Sequence, residues 1–322
     1  MRNMRLCSMG DIMPGASGIA LNRCSGRVPS MEGKSMSHRT NPKISQRAIA
    51  AALRGYRAAA GVTLDEAARS ADYDPASLSR AEQAKGTPHP AVVRALLRFY
   101  GETDEQMLDK YAAIAKHGRK RGWWAKYSDL MTVAYVGLEG AATQIRWVEP
   151  QLVPGLLQTD DYTRALITAE NETAVDEEIR RRMEVRASRR QILTAEQNPT
   201  EVSVVIDESV LCRPIGGSAV MAAQLDHLLA MGRRSNIEIQ VLPFAAGEHG
   251  SLGGRFVVLK FEDAVDPGTV FLEQVHWKDG FVEEPDAVRR FDDAFGRLRS
   301  VAESPKRSAS LIRKARDAFV SS

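Results

Sequence analysis

At 322 residues, 43% hydrophobic and 26% charged, the chain has room for two cores of ordinary size and the balance of a globular protein. It contains no apolar run approaching a membrane span, and residues 1–35 lack the apolar segment of a signal peptide. Its three cysteines, Cys7, Cys24 and Cys212, are odd in number, widely spaced and free of any CxxC pair, which argues against a disulfide framework and fits a reducing cytoplasm. The net charge of +3 is unevenly spread: residues 36–122 carry 15 Lys/Arg against 9 Asp/Glu, and residues 123–322 carry 24 against 30. A polyanion would therefore be met by the first third of the chain and repelled by the rest.

Residues 1–40 mix Gly, Ser, Pro, Asn and Arg without apolar periodicity and are expected to be disordered; Met36 resembles an ordinary start, so translation from there is expected. A helix is predicted from Arg47, with Ile49, Leu53 and Tyr56 on one face and Gly61 closing it. Thr63-Leu-Asp-Glu66 is a capping box that opens a second helix. Asp72-Tyr73 make the turn, and Asp74-Pro75 start a third helix with a capping side chain followed by proline at its first position. The loop Lys85–Pro90 leads to an apolar fourth helix, and a short fifth follows near Glu105–Ala112. This is the plan of a helix-turn-helix domain over residues 41–115. Residues 116–122 read as a basic linker, either a solvated hinge or a phosphate-contacting arm.

The third helix indicates which residues would touch DNA. Leu78 and Ala81 must face the core, which leaves Ala76, Ser77, Ser79 and Arg80 on or near the outer face. Arg80 is the best candidate for a base, because its guanidinium fork matches guanine O6 and N7. Ser77 and Ser79 can reach a phosphate or a base edge, and Thr63 sits where helix N-termini grip phosphate. Lys85, in the loop that follows, completes the expected DNA-facing set. Glu82 is expected to pair within the fold.

The run Leu53-Arg54, Gly61-Val-Thr-Leu-Asp-Glu-Ala-Ala68, Leu78-Ser-Arg-Ala-Glu82 and Thr87-Pro88 resembles the lambda-repressor or XRE class of helix-turn-helix. That resemblance implies a phosphate-gripping Thr63 and base-facing Ala76 and Arg80. Asp72 stands where the class has glycine in the turn. Ala84 stands where it has a helix-ending glycine, a role expected to pass to Gly86.

Residues 123–322 are expected to form a second domain. Helices are predicted near Tyr127–Ala142, Asp160–Ala169, Asp176–Ala195, Gly217–Met231 and Glu284–Ala302. Strands are predicted at Val202–Asp207, Ile237–Leu242, Arg255–Phe261 and Thr269–Val275, giving a mixed α/β (α+β) fold beside the all-α first domain. Trp123, Trp124 and Tyr127 anchor either a core or a ligand pocket. Arg186 and Arg190 lie on an arginine-rich helix that is either solvated or an anion site, and His249 stands in a Gly-rich loop as a turn or pocket-lining residue. Pro154-Gly155 break the chain before Leu156-Leu157, making either a docking loop or a buried turn. Asp207, Glu208, His249 and Ser251 include hydrolase residue types, but without a GxSxG elbow, a P-loop or an HExxH. Neither catalysis, nor a cofactor, nor a metal is expected.

The series Trp123-Trp124, Tyr127, Val153-Pro-Gly-Leu-Leu-Gln-Thr159, Tyr162, Arg189-Arg190-Gln191 and Val241-Leu-Pro-Phe244 resembles the actinobacterial WhiJ-like regulators. These join an XRE-type helix-turn-helix to a large C-terminal domain of unknown function. The resemblance implies a cytoplasmic, dimeric transcriptional regulator of double-stranded DNA, without a membrane role, controlled through its C-terminal domain. The alternative is an antitoxin-like module that neutralises a small protein encoded nearby, with DNA binding only autoregulatory.

Overall fold

The computed structural model describes residues 42–120, 122–127, 133–170, 173, 175–249, 254–262, 266–273 and 280–321. Residues 1–40, with Met36, lie outside them, as does Ser251. Residues 39–322 form one compact unit.

Five helices come first. Helix α1 spans Pro42–Ala60, earlier than the start expected at Arg47, and Gly61 ends it at φ 65°. Helix α2 is Leu64–Ser70, capped by Thr63 with Glu66 reaching back, and α3 is Pro75–Glu82, capped by Asp74 with proline at its first turn. Helix α4 is Pro90–Phe99, entered through His89, whose Nδ1 accepts from the Ala91 amide at 3.3 Å. Helix α5 is Glu105–Gly118, capped by Asp104, so Lys116, His117 and Gly118 form its last turn instead of opening a linker. The apolar periodicity places Ile49, Leu53, Leu78, Leu96, Leu97 and Leu108 in one fully buried cluster. Each such side chain contributes about 1.5–3 kcal/mol of burial.

A 3-10 turn at Trp123–Tyr127 follows, then α6, Val133–Glu139. The remainder is a sheet with helices on both faces. Its strands are β1 (Gln144–Glu149), β2 (Glu201–Asp207), β3 (Ile237–Leu242), β4 (Phe256–Lys260), β5 (Thr269–Leu272) and β6 (Gly280–Val282). Between β1 and β2 run α7 (Asp160–Glu170) and α8 (Asp176–Arg190). Between β2 and β3 run α9 (Ser209–Cys212) and α10 (Ser218–Met231). Helices α11 (Pro285–Val301) and α12 (Pro305–Val320) close the chain. The strand order is β3-β2-β1-β4-β5-β6, with β1, β2 and β3 parallel and the other pairings antiparallel, as a mixed α/β fold requires.

Strand β1 was not predicted, and it lies at the centre: Trp147 is opposite Val204 on one side and Val257 on the other. Alternation decides which face each residue serves. Ile145, Trp147, Val204, Ile206 and Val257 join the large core beneath α10 and α12, while Val148, Val205, Val258 and Val270 meet α11 through Val288, Phe295 and Leu298. At the turn into β5, Gly268 has φ 95° and a Cβ there would lie 2.6 Å from the Leu259 carbonyl oxygen, so the turn needs glycine.

Helix α1 belongs to both cores. Ile44 packs against the sheet-domain core, and Ile49 and Leu53 against the helical one. Between them Arg47 reaches the β4–β5 turn. Its Nε and Nη2 donate to the two Asp266 oxygens at 3.0 and 2.7 Å, and Nη2 also donates to the Gly268 carbonyl at 3.0 Å. Nη1 donates to Glu283 at 3.0 Å and to the Thr269 hydroxyl, and the guanidinium lies over the Phe261 ring. Gln46 Nε2 donates to the Gly118 carbonyl at 3.0 Å, tying α1 to the end of α5.

Candidate nucleic-acid interface and the charged interior of the sheet domain

The face of α3 is fixed by what it buries. Leu78, Ala81 and Glu82 point inward. Glu82 accepts from Arg57 Nε and Nη2, both at 2.8 Å, while its carbonyl accepts from Arg54. This is the internal pairing expected of Glu82, and the ion pair joins α3 to α1. The opposite face is open: Ala76 and Arg80 are exposed, Ser77 and Ser79 half-buried. Arg80 Nη2 donates to the Ser77 hydroxyl at 2.6 Å and lies 3.9 Å from Asp74, an open pairing in which Arg80 is 58% exposed. Gln83, absent from the predicted set, is exposed on the same stretch and its Nε2 donates to the Ser79 hydroxyl at 3.1 Å; its Oε1 accepts from Lys85 Nζ at 2.9 Å. A polar residue one step beyond the helix's last turn was the signal for it.

Thr63 is exposed at the start of α2, where its hydroxyl accepts from the Glu66 amide at 3.3 Å and its own amide donates to Glu66 at 2.9 Å. The Thr63 hydroxyl and then its amide hold the Glu66 carboxyl below the usual carboxylate range. The Ser77 hydroxyl and then its amide do the same for Asp74. The turn between α2 and α3 places Asp72 at φ 47°, so aspartate takes the left-handed position that glycine would otherwise fill. After α3 it is Ala84 that turns left-handed, at φ 56°, with the Lys85 amide returning to the Arg80 carbonyl at 2.9 Å. The expectation that Gly86 would take this job is corrected: the left-handed residue is Ala84, just behind the helix and two residues before the glycine.

The candidates in the sheet domain do not form one site. Trp124 and Tyr127 are buried; Trp123 is 42% exposed and stacks edge-on to both. Trp123, Trp124, Glu139, Arg189 and Ile192 line a cavity of about 230 Å³. At its wall Arg189 Nε and Nη2 donate to Glu139 at 2.7 and 2.8 Å, and the Tyr135 hydroxyl donates to the same carboxylate at 2.7 Å. Burial opposes the Arg189 charge, but Glu139 and Tyr135 more than offset it and keep the guanidinium above the ordinary arginine range. Burial and the neighbouring Glu139 charge push the Tyr135 hydroxyl well up. Arg190 donates to the Gln158 carbonyl at 2.7 Å and to Asp160. His249 stands apart, its Nε2 3.6 Å from Asp207 at the end of β2. Leu156 and Leu157 are buried, so the Pro154-Gly155 break is an internal turn. A larger groove, of about 630 Å³, runs between α10, α12 and the edge of β3 past Leu228, Arg233, Ile239 and Arg313.

Among the described residues no group of three or more His, Cys, Asp or Glu could hold a metal ion, and no helix is long and apolar enough to cross a membrane. Two capped helices with an open polar face, joined to a mixed α/β domain, define the class of helix-turn-helix regulators, whose first domain is a DNA-binding one. Residues 48–109 match the helix-turn-helix domain family. Residues 132–314, more than half of the chain, match the domain of unknown function DUF5753, and the chain belongs to that family. No curated protein and no solved structure matches it.

Proposed function

We propose that this chain is a sequence-specific transcriptional regulator of the XRE type that binds its operator through α3 and is controlled by a ligand or protein partner on its C-terminal domain. The observation that carries the reading is the open face of α3, where the exposed Arg80 lies beside Ala76 and Ser77, hydrogen-bonded to the Ser77 hydroxyl and in only loose contact with Asp74. Arg80 reads a base pair in the major groove, with Ala76 and Ser77 beside it. Thr63, Ser79 and Lys85 meet the phosphates, and the basic charge of residues 36–122 supplies the attraction. The molecule works as a cytoplasmic homodimer, with two recognition helices about one helical turn apart on the duplex. It performs no catalysis of its own. The WhiJ-like resemblance supports the same assignment, and the antitoxin-like alternative differs from it in requiring a small protein partner.

Fluorescence anisotropy on duplex from the chain's own upstream region, against scrambled duplex and across a salt series, tests this reading. Tight binding to the upstream duplex alone, with a steep salt slope, supports it; equal weak binding to both counts against it. Arg80→Ala costs about 1–3 kcal/mol on the preferred site and flattens sequence preference, whereas Thr63→Ala weakens all sites alike. Light scattering that finds a monomer both on and off DNA overturns the dimer.

A further inference from the structure

Helix α8 carries arginines at 180, 181, 182, 186, 189 and 190, and their partners differ in one respect. Arg180 pairs with Glu177 and Glu184, Arg182 with Glu178 and Glu170, Arg189 with Glu139, and Arg190 with Asp160. Arg181 donates to the Lys126 carbonyl. Among the described residues, Arg186 has neither a hydrogen-bond acceptor nor an ion-pair partner; only longer-range charges act on it.

Arg186 is half-buried, and its guanidinium lies close beside Gly155. Gly155, in the turn after β1, leaves the space: a Cβ at that position would collide with Arg186 Nη1 and lie 3.7 Å from Arg189 Nη2. Two guanidiniums thus flank one glycine. Arg255 also acts on Arg186, and it is held by the buried Glu149 at 3.5 Å and by Glu273. Glu139 is used by Arg189 and Glu170 by Arg182, so the nearby carboxylates already have their cations. Burial, and then Arg189, lower the Arg186 pKa to about 10. A half-buried guanidinium among other arginines, with no carboxylate of the described residues hydrogen-bonded to it, has its fork free to take an anion.

We propose that Arg186, backed by Gly155 and flanked by Arg189 and Arg255, is the binding site of a small organic carboxylate. One unused planar fork matches one carboxylate in bidentate geometry, whereas a phosphate dianion calls for more free donors than the neighbouring arginines have left. The site is well placed for an effector. The same helix holds the segment that follows α5, through the Tyr127 hydroxyl, which donates to Glu184 at 3.2 Å, and through Arg181 on Lys126. The effector role rests on the regulator reading given above; the carboxylate site does not.

The test is calorimetric titration and thermal unfolding of the full chain with sodium acetate, sodium succinate or inorganic phosphate, at ionic strength held constant with chloride. Saturable binding of acetate or succinate is expected, weakened about tenfold or more in Arg186→Gln. In carboxylate-free buffer Arg186→Gln is expected to unfold at a higher temperature than the parent, because it removes an unpaired, half-buried charge crowded by other arginines; a purely structural arginine gives the opposite shift. Arg186→Lys, which keeps the charge without the fork, is expected to bind weakly. Phosphate binding without carboxylate binding overturns the proposal, as does a parent that responds to neither anion. Anisotropy on duplex with and without succinate separates the two readings. Duplex binding without succinate binding sinks the carboxylate site alone, and succinate binding without duplex binding sinks the DNA reading alone.

Discussion

The helix-turn-helix half and the sheet half each contain a bidentate arginine–carboxylate pair, buried to different depths. Arg57 and Glu82 join α1 to α3 with side chains 24% and 6% exposed; Arg189 and Glu139 join α8 to α6 at 7% and 1%. The first pair closes a loop between neighbouring helices, and water still reaches its cation. The second is surrounded by Tyr135, Phe271 and the aromatic turn, and its carboxylate also takes the Tyr135 hydroxyl. The comparison teaches that equal hydrogen-bond geometry carries unequal consequences, because the cost of an orphaned charge is set by how dry its surroundings are.

The largest effect should come from the deeper pair. Glu139→Gln keeps the shape but strands Arg189, and urea denaturation should show a loss of about 3–5 kcal/mol. Glu82→Gln should cost less, about 2 kcal/mol, since the Arg57 guanidinium can turn toward solvent. Equal losses from the two substitutions would break the comparison. Smaller still is Ala84→Gly, which relieves the left-handed alanine after α3 and should stabilise the chain by about 0.5–1 kcal/mol in the same assay. The smallest effect is a slope with pH. Burial, and then Arg190, hold the His227 imidazole below 6.5, and its Nε2 has no hydrogen-bond partner. The unfolded chain therefore takes up that proton first, and stability falls as pH drops through about 6.5. His227→Gln should flatten that part of the profile; an unchanged slope would show that the imidazole does not couple to folding.

The two halves also differ in how far their sequence revealed them. Helix starts in the first domain are local chemistry, so Thr63 with Glu66, and Asp74 with Pro75, located α2 and α3 to the residue. The ending of α3 was harder, because Ala84 carries no mark of a left-handed conformation. In the sheet domain the edges of β2 and β3 were legible from apolar runs, but β1 was not. Gln144 and Arg146, on the face covered by α11, break the run, and Arg146 is made tolerable by Asp292 of α11, which is 146 residues away. Helix α12 was missed for a related reason, since its buried positions are as few as Ser308 and Ile312. Of the candidate sheet-domain residues, the sequence named Arg186 and Arg190 on α8 but could not separate the two. Only the positions of the carboxylates do that.

The two-core role of α1 bears on how the molecule can be cut and rearranged. A reading head strung on a free tether could be excised or transplanted between proteins with little consequence for either part. Here the first turns of α1 fill a place in the other half, with Ile44 in its core and Arg47 on Asp266. A fragment beginning at Trp123 would leave that place open and the acceptors on Asp266, Gly268, Thr269 and Glu283 without the Arg47 guanidinium. A chimaera that exchanges reading heads would have to carry residues 42–47 with the sheet half, or find a substitute for them.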